Sequence, residues 1–99
     1  MPAPRPVALV TGSTSGIGAG IARRLAADGM TVVVHSRASR AAGLELAAEL
    51  GGAYYQADLA DENQCQALVT GVIDGHGRLD VLVNNAGISC RSPTTTSAR

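Results

Sequence analysis

Short runs of Val, Leu and Ala alternate with longer stretches of helical period along this chain, and that alternation limits the folds open to it. Residues 6–10 end in Val7-Ala8-Leu9-Val10 and read as a first strand. Residues 16–28 place Gly18, Ile21, Ala22, Leu25 and Ala26 at i, i+3, i+4, i+7 and i+8, one buried helix face. Gly29 supplies the C′ stop. Residues 31–34 are apolar without alternation, the pattern of a strand covered on both faces. A second helix is expected over 38–50, with Leu46 and Leu50 one turn apart and Gly51-Gly52 as its stop. Residues 53–57 make a short third strand. Asp61 then opens a third helix, with Gln64 at the spacing of a capping box. Its buried stripe is Cys65, Leu68, Val69, Val72 and Ile73, and Asp74-Gly75-His76-Gly77 reads as a turn. A fourth strand at 80–84 leads into Asn84-Asn85-Ala86-Gly87.

The order βαβαβαβ requires a parallel sheet, because helical crossovers return each strand in the same direction. Right-handed crossovers put helices on both faces, an α/β class of fold. At 99 residues the chain is one domain. Its 8 basic and 8 acidic residues cancel, so no basic field selects nucleic acid or an anionic membrane. Val7 to Val10 is too short for a signal-peptide core or a membrane span, which implies a soluble, cytoplasmic protein. Cys65 and Cys90 have neither metal spacing nor a disulfide framework and read as reduced thiols. Residues 91–99 hold no apolar side chain larger than Ala and are expected to form a disordered tail.

The chemical signal lies in Thr11-Gly12-Ser13-Thr14-Ser15-Gly16-Ile17-Gly18, between the first strand and the first helix. Glycines there allow a tight turn and close ligand approach, and the helix aims unpaired N–H groups at the same spot. That suits a pyrophosphate, although a tight βα turn without a ligand has the same glycines. No Lys-Ser/Thr pair follows, so the pattern is not a P-loop. The second strand ends His35-Ser36-Arg37, without the acidic residue that grips a ribose 2′-hydroxyl. Ser36 and Arg37 could instead receive a 2′-phosphate by hydrogen bond and charge-assisted pairing. The bland alternative for Arg37 is a solvated side chain at the start of a helix.

Together these residues resemble the N-terminal part of a short-chain dehydrogenase/reductase. The resemblance rests on Thr11-Gly12-x-x-x-Gly16-Ile17-Gly18, Asp58-Leu59 after the third strand, and Asn84-Asn85-Ala86-Gly87 after the fourth. It covers about residues 6 to 90. It implies a partial doubly wound, Rossmann-type sheet of order 3-2-1-4, truncated before strand 5, with residues 1–90 as the NAD(P)-binding domain. It also implies roles for residues. Gly12, Ser13, Thr14, Ser15, Gly16, Ile17 and Gly18 would wrap the pyrophosphate and adenosine ribose. Ser36 and Arg37 would favour NADP(H), while the absence of a basic residue at Ser15 leaves NAD(H) open. Asp58 and Leu59 would flank the adenine. Asn85, Ala86 and Gly87 would line the ribose side, and Asn84 would brace the central strand.

The family's catalytic Ser, Tyr-x-x-x-Lys and helix Asn fall beyond residue 99, and this chain has no Lys at all. Tyr54 and Tyr55 are followed at the Lys spacing by Asp58 and Leu59. His35 reads as a packed strand-end histidine and His76 as a solvated one. Ser89 and Cys90 have no base placed to activate them. No catalytic residue and no metal site is expected, and the chain alone should catalyse nothing. Strand 4 would be an open apolar edge. It invites self-association or a complementing C-terminal fragment that supplies strands 5 onward. A small non-enzymatic NADP(H)-binding or interaction module is the alternative reading.

Overall fold

The computed structural model describes residues 5–87 and the strand at 97–98. The strands are β1 (Val7–Val10), β2 (Thr31–Ser36), β3 (Ala53–Gln56), β4 (Val81–Val83) and β5 (Ser97–Ala98). The helices are α1 (Gly16–Ala27), α2 (Arg40–Leu50) and α3 (Glu62–His76). The sheet order is β3-β2-β1-β4-β5. The pairings of β1 with β2 and β4, and of β2 with β3, are all parallel. The alternation of periods required parallel strands, and the order 3-2-1-4 implied by the family resemblance stands.

The edge beyond β4 differs from expectation. Ser97 and Ala98, assigned to an unpacked tail, pair in parallel with Leu82 and Val83. The chain therefore does not stop at four strands, and β4 is not wholly an open edge. Backbone N–H and C=O groups pair whatever the side chains are, so a segment without large apolar residues can still add to a sheet. Residues 88–96 and 99 lie outside the described set, and with them the remainder of the expected tail.

All four residues of β1 are buried, because both faces of the sheet are covered. On one face Leu9, Val33 and Leu82 meet Cys65, Leu68 and Val72 of α3. On the other, Val10, Val32 and Val34 meet Ala19 and Ala22 of α1 and Leu46 and Ala47 of α2. The expected stripes fall on these faces. The small residues Ala19 and Ala22 let α1 lie close to the sheet.

Two boundaries moved. The 74–77 segment read as a turn is the last turn of α3, and Gly77, at φ 79°, is the left-handed stop. Gly75 sits in this turn because a Cβ there would approach the Tyr55 hydroxyl to 2.9 Å. The second strand continues through His35 and Ser36, which pair with Tyr55 and Gln56 of β3. Cys65 corrects the reduced-thiol expectation: it is disulfide-bonded. Neither sequence spacing nor helix periodicity carries information about a distant partner. The chain's other cysteine, Cys90, lies outside the described residues.

Candidate functional site: a glycine turn at the strand ends

Every element that could touch a ligand ends on the same edge of the sheet, the C-terminal ends of the strands. In open α/β folds that edge carries the binding crevice, at the point where strand order reverses. Here the reversal falls between β1 and β4.

The turn after β1 is tied first to β4. Thr11 N–H donates to the Val83 carbonyl at 3.1 Å. The Thr11 hydroxyl accepts from Ala86 N–H at 3.2 Å. Asn85 Nδ2 donates to the Gly12 carbonyl at 3.1 Å. Asn84 Oδ1 lies 3.5 Å from the Thr11 hydroxyl. Gly12 adopts φ 62°, where an L side chain is strained, and a Cβ there would press Ala86 at 3.2 Å. A Cβ on Gly18 would fall on the Gly12 carbonyl and within 2.5 Å of Asn85 Nδ2. The first and third glycines therefore hold the turn's shape. Gly16 is different: a Cβ there would meet nothing within 4 Å.

The turn is tied next to β2. Ser13 is buried, and its N–H donates to the His35 carbonyl at 2.9 Å. The His35 N–H donates in return to Ser13 Oγ at 2.8 Å. The His35 ring then accepts from Gly12 N–H at Nδ1 and reaches the Ala57 carbonyl through Nε2. The turn after β1 is thus hydrogen-bonded to the ends of β4 and β2, and the His35 ring carries the linkage on to the end of β3.

Above them lies a cavity of about 310 Å³, lined by Gly12, His35, Arg37, Ala57, Asp58, Leu59, Ala60 and Ala86. Asp58 is held at its mouth. Its N–H donates to Gln64 Oε1 at 2.8 Å, and its Oδ1 accepts from Ala60 N–H at 3.0 Å. This alters the expected capping box. Asp61 caps α3 by accepting from Asn63 and Gln64 N–H, and the Gln64 side chain donates to Asp61 Oδ2 through Nε2 while its Oε1 braces Asp58 N–H instead of the Asp61 N–H. Arg37 is exposed beside the cavity and enters no ion pair among the described residues.

The first turn of α1 suits an anion. Its N-cap, Ser15, makes no side-chain bond to the helix, and no acidic residue sits there. The N–H groups and positive dipole end face outward without a side-chain cap. Ile17 is 78% exposed, an apolar side chain with no packing role inside the sheet.

Not every expected residue joins this site. Ser36 is the clearest correction. Its hydroxyl is buried and lies 2.6 Å from the Tyr54 hydroxyl, so it is not presented to a 2′-phosphate. Strand alternation explains this: Ser36 continues the Val32 and Val34 face and Arg37 follows the strand's end. Thr14 lines a separate groove between α1 and α2 with Arg23 and Glu49. Gly87 adopts φ 81°, past the Ala86 contact. His76 ends α3, and Ser89 lies outside the described residues. Thr11 and His35 were missed as site residues, and the signal for both was present. Each sits at a strand's C-terminal end, where a polar side chain must find partners in the loops.

A glycine turn into a helix N-terminus, at the switch point of a parallel sheet with helices on both faces, is the arrangement of a doubly wound, Rossmann-type α/β fold. The family follows from comparison. Residues 6–98 match the short chain dehydrogenase family model, and the chain belongs to that family. It is 44% identical over 88 residues to a 3-oxoacyl-[acyl-carrier-protein] reductase from Synechocystis, covering 84% of this chain and 36% of that protein. It is 40% identical over 92 residues to a 3beta-hydroxysteroid dehydrogenase from Mediterraneibacter gnavus, covering 89% of this chain and 33% of that one. A short chain dehydrogenase from Burkholderia cenocepacia, solved in complex with NADP, superposes with a TM-score of 0.77 at 39% identity, over 80% of this chain and 34% of that one. The chain thus spans about a third of the length of the relatives it matches. No helix among the described residues is long and apolar enough to cross a membrane.

Proposed function

We propose that this chain is the dinucleotide-binding part of a short-chain oxidoreductase, with NADP(H) favoured over NAD(H). The observation that carries this reading is one cavity lined by Gly12, Asp58, Leu59 and Ala86, which come from all three motifs, together with Arg37. Gly12, Gly16, Ile17 and Gly18 would receive the pyrophosphate at the α1 N-terminus. Asp58 and Leu59 would hold the adenine, with Asp58 accepting from its exocyclic amine. Asn85, Ala86 and Gly87 would line the ribose side, with Ser13 and Asn84 as braces. Arg37, rather than Ser36, would meet the 2′-phosphate. When bound, the nicotinamide would supply hydride exchange with a carbonyl or alcohol carbon.

This chain by itself is proposed to bind without turnover. It has no Lys to lower a tyrosine's pKa, and its two tyrosines have other work. Tyr54 hydrogen-bonds Ser36, and the Tyr55 hydroxyl donates to the Gly71 carbonyl at 3.2 Å. The acyl and steroid substrates in its relatives' names differ in kind, and no feature here selects between them.

Titration calorimetry tests the reading. NADP+ should bind the 99-residue chain more tightly than NAD+. Arg37→Asp should lose about tenfold in NADP+ affinity, the scale of one charge-assisted contact, with NAD+ spared. Equal losses for both would remove Arg37 from the phosphate role. NADPH-dependent carbonyl reduction by the purified chain would refute inactivity.

A second reading rests on one observation: among the described residues, β4 is paired on its outer side at Leu82 and Val83. A complementing chain or a second copy could lengthen that pairing and use the protein as a non-enzymatic module. A defined hetero-complex without turnover would favour it.

A further inference from the structure

His35 is 2% exposed and forms part of the cavity wall. Its ring spans two chain segments. Gly12 N–H donates to Nδ1 at 3.1 Å, and Nε2 lies 2.9 Å from the Ala57 carbonyl oxygen. An amide N–H only donates and a carbonyl only accepts. The ring that satisfies both is neutral, with its proton on Nε2. One side chain thus links the first glycine of the turn to the residue before Asp58. A second proton would go to Nδ1, and two N–H donors would then face each other across 3.1 Å.

We propose that His35 is a positioning residue, whose neutral ring sets the Gly12 turn against the end of β3 and whose protonation loosens the adenosine end of the cradle. This rests on the dinucleotide reading above. Burial pushes the imidazole below its ordinary 6.5, against the smaller upward pull of the Ala57 carbonyl. The link is therefore intact at neutral pH and is lost in acid. The charged groups lining the same cavity are Arg37, after β2, and Asp58, after β3. Among the described residues, the turn after β1 and the segment after β4 contribute Gly12 and Ala86 to that lining.

The test uses the 99-residue chain and one variant. In the ligand-free protein, 15N spectra should show the His35 ring protonated at Nε2 alone at pH 8. The Gly12 amide should shift as the ring titrates. NADP+ affinity is then measured from pH 8 to pH 5 in the parent and in His35→Gln, whose amide offers one donor and one acceptor and does not titrate. The variant is needed because a phosphate monoester has its own ionisation near pH 6. Over that range the parent should lose about tenfold more affinity than His35→Gln, the scale of one buried donor left unsatisfied. Identical pH profiles would overturn the proposal. So would a Gly12 amide indifferent to the ring, a readout that does not depend on the variant folding. If NADP+ binds at no pH, the dinucleotide reading fails. The Gly12 amide then still decides whether the ring holds the turn.

Discussion

Gly16 and Gly18 stand two residues apart and should respond to the same substitution in opposite ways. Gly18→Ala forces a Cβ onto the Gly12 carbonyl and Asn85, so overpacking should cost about 1–3 kcal/mol in urea unfolding. Gly16→Ala has open space and a helical backbone, and should hold or raise stability by about 0.5–1 kcal/mol. Its expected loss is in NADP+ affinity, because the added methyl enters the ligand's side of the turn. A Gly16→Ala chain that binds normally would place the pyrophosphate elsewhere. His35 adds a pH limb to stability. Its native pKa lies below the unfolded 6.5, so the unfolded chain takes the proton first. Stability is full above pH 6.5 and falls with pH until the native ring is protonated. Chemical denaturation at pH 7.5 and 5.5 should show the drop, and His35→Gln should flatten it. At this scale the glycines, Asp58 and Asn85 were legible from motif spacing. Ser36 was not, because the side a strand residue faces depends on where the strand ends.

At the scale of elements, the periods read from the sequence recovered every helix and the first four strands. Errors fell at ends, where side chains from other elements decide. The last turn of α3 persists through Asp74 and Gly75 because Tyr55 packs there and Gly77 closes it. A similar fit joins α2 to β3: a Cβ on Gly43 would fall on the Tyr54 ring. Gly43→Ala should therefore push α2 off the sheet and destabilise by about 1–3 kcal/mol. An unchanged urea midpoint would contradict that packing. Asp80 joins the starts of β4 and β1. Its carboxylate accepts from Val7 N–H at 2.8 Å, and its N–H donates to the Val7 carbonyl at 2.9 Å. The Arg78 guanidinium, with the Val7 N–H, holds this carboxyl below its ordinary 3.8. Its contribution is present above pH 3.8 and is lost as pH falls through the native value. Asp80→Ala should lower the neutral-pH urea midpoint and remove that acid limb.

For the whole molecule, the edge at β4 is where association would be expected, because unpaired strand groups are a template for pairing. The β5 strand covers Leu82 and Val83. Removing residues 97–99 should uncover their backbone groups and shift sedimentation toward larger species as concentration rises. A monomer at all concentrations would show that this edge is protected otherwise. Ligand linkage acts at the same scale. NADP+ at about 100 times its Kd should add about 2.7 kcal/mol, seen as a raised unfolding midpoint.

The sequence alone determined the parallel sheet, the glycine turn into α1 and the family, because periodicity and glycine spacing are local properties of the chain. The lack of Lys is likewise written in the chain and bears directly on chemistry. Only the tertiary structure decided that His35 links Gly12 to Ala57, that Ser36 turns inward, that Cys65 is oxidised and that Ser97–Ala98 covers β4. Each depends on a partner from a different segment, 18 residues away for Ser36 and Tyr54 and 23 for His35 and Gly12. Local pattern cannot name such partners, because packing brings them together only once the sheet has formed.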